Sequence, residues 1–189
     1  MVSLTLDLTD RKSLMASLPK GGIGAEIGVS EGCFSDVLLE VCKPAILFLV
    51  DPWVHVASAA LRNDPANVGQ KGQEARYTQV RQRLGSEPAV SIVRMYSLEA
   101  AKSFEDNFFD WVHIDADHTR AGEDAEAWWS KVKPGGWLTG HDYTMVENYI
   151  TVKADVDRFV AERGLKLFVT RGDNDVYERN YPTWAIRKS

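Results

Sequence analysis

The stretch HIDADH, residues 113–118, puts two histidines and two aspartates directly after an apolar run, FFDWV. Strand ends in α/β proteins are where such groups do chemistry. A carboxylate beside an imidazole can take up or hold a proton near neutral pH, histidine's ordinary pKa being about 6.5. Farther along, His141 and Asp142 end a second apolar run, WLTGHD. Asp115 and Asp142 would thus close neighbouring strands, and oxygen ligands converging from distant parts of a chain suit a divalent ion such as Mg2+. Structural readings stand beside these. Asp117 serves equally well as a charge at a helix start, and His118 as a cap. His113, inside the strand, reads as a satisfied core histidine.

The first half offers a binding site rather than chemistry. EIGVSEG holds Gly28 and Gly32 four residues apart at the end of a buried strand. Glycine there admits a ligand close to the backbone, and the next helix presents free N–H groups. Asp51 ends the following strand and is either a cap or the acceptor of two ribose hydroxyls. Ser97, after the third strand, is a helix cap, a donor to a nucleoside, or both. The GxGxxG fingerprint of dinucleotide enzymes is missing, because Ile27 stands where the third glycine should follow Gly22 and Gly24.

These residues need a scaffold, and the rest of the chain supplies one. Apolar strand-like runs at 23–29, 45–51, 90–95, 109–115 and 137–142 alternate with segments of helical periodicity. The helices are read at 34–42, around Tyr77–Leu84, at 98–104, at 119–131, and through Tyr149, Val152, Val156 and Phe159. The alternation predicts a Rossmann-like doubly wound α/β sheet, mostly parallel, with helices on both faces. Two late strands, 165–171 and 182–189, have only a turn-rich segment between them and are expected as an antiparallel edge pair, making seven strands. KPGG at 133–136 should stop the helix before it. Residues 52–72 read as a long polar surface loop. The domain is placed at 21–189, with 1–20 as an N-terminal extension.

Composition narrows the class of protein. The 189 residues carry a formal charge of -5 and no Lys/Arg run, which argues against nucleic acid as a partner. Cys33 and Cys42 are too few for a disulfide framework, and no apolar run nears 20 residues. A cytoplasmic protein that does not enter a membrane is expected.

The motifs EIGVSEG, Asp51, MYS, FDWVHIDADH and KPGGWLTGHDY, in this order, resemble a class I methyltransferase dependent on S-adenosylmethionine. The resemblance spans roughly residues 20–189 and is greatest to the small branch containing macrocin-type sugar O-methyltransferases. It implies that Gly28, Val29, Ser30 and Gly32 wrap the methionine part of the donor, with Glu26 supporting the loop. Asp51, with Pro52 beside it, would hold the ribose. Met95, Tyr96 and Ser97 would surround the adenine, and Asp115 would lie near the methionine end. In metal-dependent relatives the positions of Asp115, His141 and Asp142 bind the ion. This chain departs from them by having histidine at 141, which favours a softer ion such as Mn2+ or none. Asp117 and His118 match positions used as base or base partner.

The implied reaction is in-line transfer of a methyl group to a hydroxyl of a small acceptor such as a sugar, a phenol or a natural product. A nucleoside-binding protein without turnover and a nicotinamide-dependent reductase are the rivals. His55, Trp53, Tyr143 and Tyr149 are candidates to line the acceptor pocket or simply to pack. A homodimer through the apolar face of VSLTLDL would complete an otherwise open pocket.

Overall fold

The computed structural model describes residues 6–62, 64–147, 149–173 and 176–189. Helix α1 (Arg11–Ser17) leads into strand β1 (Ile23–Ile27), then α2 (Cys33–Cys42) and β2 (Ile46–Val50). Next come α3 (Gln70–Leu84), β3 (Val90–Val93), α4 (Ser97–Ala101), β4 (Phe109–Ile114) and α5 (Ala121–Trp129). The chain ends with β5 (Val132–Gly140), α6 (Val152–Arg163), β6 (Leu167–Val169), α7 (Val176–Asn180) and β7 (Trp184–Arg187).

The seven strands lie in the order β3-β2-β1-β4-β5-β7-β6. The first five run parallel, and β7 pairs antiparallel with both β5 and β6. The doubly wound sheet with an antiparallel C-terminal edge is therefore present as expected. Sequence order reverses between β1 and β4, so the loops leaving these strands diverge and open a crevice.

Two apolar clusters cover the two faces of the sheet. Ala100, Ala101, Ala125, Trp128, Val156 and Phe159 from α4, α5 and α6 pack on Val50, Val112 and Leu138. Leu14, Met15, Leu38, Cys42 and Val80 from α1, α2 and α3 pack on Leu49, Trp111 and Trp137. Neighbours such as Leu49 and Val50 fall on opposite faces, the period of two that strands impose. Phe109 and Trp111 also fall in opposite clusters, and the β4–β5 pairing shifts register between them.

Residues 11–17 of the N-terminal extension form α1, and Leu14, Met15 and Leu18 are no more than 1% exposed. Several other expectations need correcting. KPGG does not stop α5, which has already ended at Trp129; it lies within β5, where Gly135 N donates to Lys188 O and Gly136 O accepts from Lys188 N. Tyr149 precedes α6 instead of lying on it. α7 occupies the connection that reads as turns alone. Leu6 and Leu8, from the segment proposed for dimer contact, pack on this chain's own core, while Val2 and Leu4 lie outside the described residues. Both cysteines are free thiols, and no described helix is long and apolar enough to cross a membrane.

Candidate active site

The crevice at the carboxyl ends of β1, β2 and β4 holds a cavity of about 330 Å3. Its floor comes from Gly28, Ser30, Asp51 and Pro52, and one wall from Tyr96, Ser97 and Leu98. Asp115, Ala116, Asp117, Arg120 and Asp124 form the opposite side.

Asp51 fixes the shape of the floor. Its Oδ2 accepts from Val29 N and Ser30 N, both at 2.9 Å, and its Oδ1 accepts from Trp53 N at 2.7 Å. Burial raises its pKa, and these three N–H groups pull the other way. The turn is closed from the far side by Trp53 Nε1, which donates to Ser30 O at 2.9 Å. Ser30, Trp53 and Asp142 all have positive φ without being glycine, so strained backbone borders the site. Trp53 is fully buried against Tyr77 and supports the turn, so it does not face an acceptor.

Four of the anticipated donor residues stand behind the cavity wall and do not line it. Glu26 is 1% exposed, and its carboxyl group accepts from Ser35 Oγ. Burial pushes its pKa up to about 8, the Ser35 bond opposing. Val29 is core, Met95 packs against the core, and Gly32 is the left-handed residue that opens α2.

Ser97 turns out to bond sideways. Its Oγ donates to Asp124 Oδ1 and accepts from Trp128 Nε1 at 2.9 Å. Burial raises the Asp124 carboxyl to about 6 despite the Ser97 bond. Asp124 was not legible as a site residue, because in sequence it is one more acid in the first turn of a helix.

The loop of residues 52–69 forms a further wall through Val54, Val56, Leu61 and Asn67. Amide side chains hold it there. Asn67 Nδ2 donates to Val56 O at 2.9 Å and Leu61 O at 3.0 Å, while its Oδ1 accepts from Val56 N at 2.9 Å. Gln73 Nε2 donates to Ala66 O at 2.8 Å. The only sequence signal was the density of Asn and Gln in NDPANVGQKGQ.

At the β4 and β5 ends the acidic cluster assembles differently from the sequence expectation. Ligand atoms of Asp115, His118 and Asp142 lie within 4.8 Å of one another. His118 takes the place anticipated for His141, its Nδ1 standing 3.3 Å from Asp142 Oδ2. His141 is buried behind the cluster, with Nδ1 2.9 Å from Asp142 Oδ1 but not aligned for a hydrogen bond, and 3.9 Å from Asp115 Oδ2. Burial pushes the Asp142 pKa up, but contact with His141 and the charges of His118 and Arg11 outweigh it and hold it below the ordinary value. A void of about 10 Å3, lined by Asp115, His118, His141 and Trp184, adjoins the cluster.

Asp117 lines the cavity, yet its Oδ1 accepts from Thr119 N at 2.9 Å and Thr119 Oγ1 at 2.6 Å, closing the turn before α5. His113 is the core histidine the sequence suggested. It is fully buried, with Nδ1 2.9 Å from Thr139 Oγ1, and burial drives its pKa well down. Of the aromatic candidates, Tyr149 stands edge-on to His118 at 6.1 Å between centroids, while Tyr143 is tied to Asp157. His55 is exposed in the long loop.

Comparison with known proteins agrees with this architecture. No curated protein matches the chain significantly in sequence. Among solved structures, the chain resembles a precorrin-6y C5,15-methyltransferase from Geobacter metallireducens at TM-score 0.63 and 16% identity, covering 94% of this chain and 86% of that one. It resembles an O-methyltransferase family protein from Burkholderia thailandensis at TM-score 0.62 and 14% identity, over 93% and 52% of the two chains. Spermidine synthase from Thermotoga maritima superposes at TM-score 0.60 and 15% identity, over 95% and 57%. The last two likenesses thus reach little more than half of the longer chains. Residues 25–143, well over half of the sequence, match the family described as a methyltransferase domain. The chain belongs to that family, among the class I S-adenosylmethionine-dependent methyltransferases.

Proposed function

We propose that the protein transfers a methyl group from S-adenosylmethionine to a hydroxyl oxygen of a small acceptor, with His118 as the base. The observation that carries this reading is the His118–Asp142 pair, Nδ1 to Oδ2 at 3.3 Å, beside Asp115 where the large cavity ends. A carboxylate on Nδ1 fixes the imidazole's orientation and leaves Nε2 to receive the acceptor's proton. In the step itself the acceptor oxygen attacks the methyl carbon, the sulfonium leaves as a neutral thioether, and the hydroxyl proton passes to His118. Gly28, Ser30, Asp51 and Pro52 would hold the methionine and ribose parts, and Tyr96 and Ser97 the adenine. Glu26, Val29, Gly32 and Met95 would shape that surface from behind. The likeness of the sequence motifs to the macrocin-type branch makes sugars and phenols the first acceptors to try.

A second reading gives Asp115, His118 and Asp142 a divalent ion. Two observations favour it: the mutual distances, and the buried Asp142 Oδ1, which has no hydrogen-bond partner. A mixed oxygen and nitrogen donor set fits Mn2+ better than Mg2+, and such an ion would lower the pKa of a bound hydroxyl.

Titration calorimetry with S-adenosylhomocysteine, followed by turnover assays on a panel of sugars and phenols, tests the proposal. Micromolar binding is the expected result. His118→Ala should keep that affinity within about threefold while lowering turnover by roughly 10^2 to 10^4. Absence of binding would remove the donor site, and an unimpaired His118→Ala would remove the base.

A further inference from the structure

Arg11 meets the acidic cluster from outside the methyltransferase motifs, in a segment that reads as an extension. Its Nη1 lies 3.1 Å from Asp115 Oδ2, and its Nε 3.5 Å from Glu178 Oε1. Its backbone N donates to Glu178 Oε2 at 3.3 Å, and Cζ sits 3.9 Å over the Phe34 ring. This is no loose surface pair, for the arginine side chain is only 20% exposed and that of Glu178 12%. Both sides are anchored. Leu14, Met15 and Leu18 seat α1 in the core, and Leu8 O and Thr9 O accept from Arg171, Gly172 and Asp173 N–H groups just ahead of α7.

The arginine therefore already supplies a positive charge to a carboxylate that a divalent ion would need. The two cations compete for Asp115: Oδ2 is engaged by the guanidinium, and a second positive charge a few ångströms away in a partly buried site is repelled. Asp142 Oδ1 is buried without an aligned hydrogen bond in a residue 6% exposed, with His141 Nδ1 2.9 Å from it.

We propose that Arg11 is the built-in cation of this site and excludes divalent metal from it. The segment carrying Arg11 then decides which of two chemistries the cluster performs. With Arg11 docked, His118 is free to act as a base. With Arg11 withdrawn, Asp115, His118 and Asp142 become a metal site for an ion of the Mn2+ class. The inference rests on the cluster described above and not on the identity of the acceptor.

Mn2+ titration of the full chain, read by the electron paramagnetic resonance of free ion, tests it. Arg11→Met should bind one Mn2+ at least tenfold more tightly than the wild type, and adding Asp115→Asn should abolish the gain. Arg11→Lys, which keeps the charge, should stay near the wild type. Equal affinity in the wild type and Arg11→Met would overturn the proposal. Hydrogen exchange on the wild type provides the check that needs no variant. Saturating Mn2+ should speed exchange of the amides of residues 11–17, and bound Mn2+ with unchanged exchange there would also overturn it. S-adenosylhomocysteine titration of the same preparations separates the two ideas. Normal nucleoside binding with no effect of Arg11→Met on Mn2+ affinity removes this inference and leaves the proposed reaction. A tenfold gain without nucleoside binding does the reverse.

Discussion

Gly28→Ala should cost the protein about 3 kcal/mol of stability and lower nucleoside affinity at least a hundredfold. Gly28 has φ +91°, where an L side chain is strained, and a Cβ there would meet Asp115 O at 2.0 Å and Ala116 Cα at 2.8 Å. Both obstacles are backbone at the end of β4, so no rotamer change relieves them. The clash also falls at the switch between β1 and β4, where the two loops part to form the cavity. Pushing them apart would move Ser30 and Asp115 together. For a domain of this size the stability loss corresponds to a fall in melting temperature of roughly 6–12 °C. Gly69→Ala is the control, since nothing lies within 4 Å of its Cβ and its φ is -58°. A Gly28→Ala protein that melts and binds like this control would mean that the turn does not build the donor site.

How far the sequence reveals such a site depends on the kind of contact that makes it. Asp51, Asp115 and Asp142 were legible because a buried parallel strand is a mainly apolar run, and the acidic residue that closes it marks the sheet's carboxyl edge. The same logic located Gly28. The pairing of His118 with Asp142 was not legible. Residues 141 and 142 look alike as ligands in sequence, and nothing there shows that Asp142 adopts φ +53° with Oδ2 3.3 Å from His118 Nδ1. His141 lies buried behind the cluster, its Nδ1 2.9 Å from Asp142 Oδ1. Arg11 gave no signal at all, because a charged residue in a short polar helix has no period to betray what it touches 104 residues away. α7 was missed for a related reason: a five-residue helix is too short to show periodicity, and its Glu178 acquires a role only through tertiary contact. KPGG misled because Pro and Gly also accommodate an irregular strand entry, which is where β5 uses them.

Glu26→Gln should stabilise the protein increasingly as pH rises from about 5 to 8, the second large effect expected. The wild-type carboxyl is buried, with a pKa pushed up to about 8 from an ordinary 4.5, so the folded state holds its proton where the unfolded chain has released it. The folded state therefore binds more protons across that window, and wild-type stability falls as pH rises through it. Below about 4.5 both states are protonated and this contribution is fully present; above about 8 it is fully lost. Glutamine has no proton to lose and keeps the shape and the acceptor oxygen for Ser35 Oγ. The difference between variant and wild type should grow by roughly 3 kcal/mol between pH 5 and pH 8, a tenfold difference in proton affinity being worth about 1.4 kcal/mol. Urea titrations of both proteins at pH 5, 6.5 and 8 measure it. A difference independent of pH would mean that Glu26 is ionised in the folded protein throughout. Nearby charge bears on the outcome, because Asp115 and Asp51 favour the protonated form and Arg11 opposes them. A cationic donor bound in front of this wall adds to the Arg11 side of that balance. On the proposed reading, binding S-adenosylmethionine at pH 7 should therefore release a fraction of a proton from the wild type and markedly less from Glu26→Gln. Calorimetry in buffers of different ionisation enthalpy would detect that release.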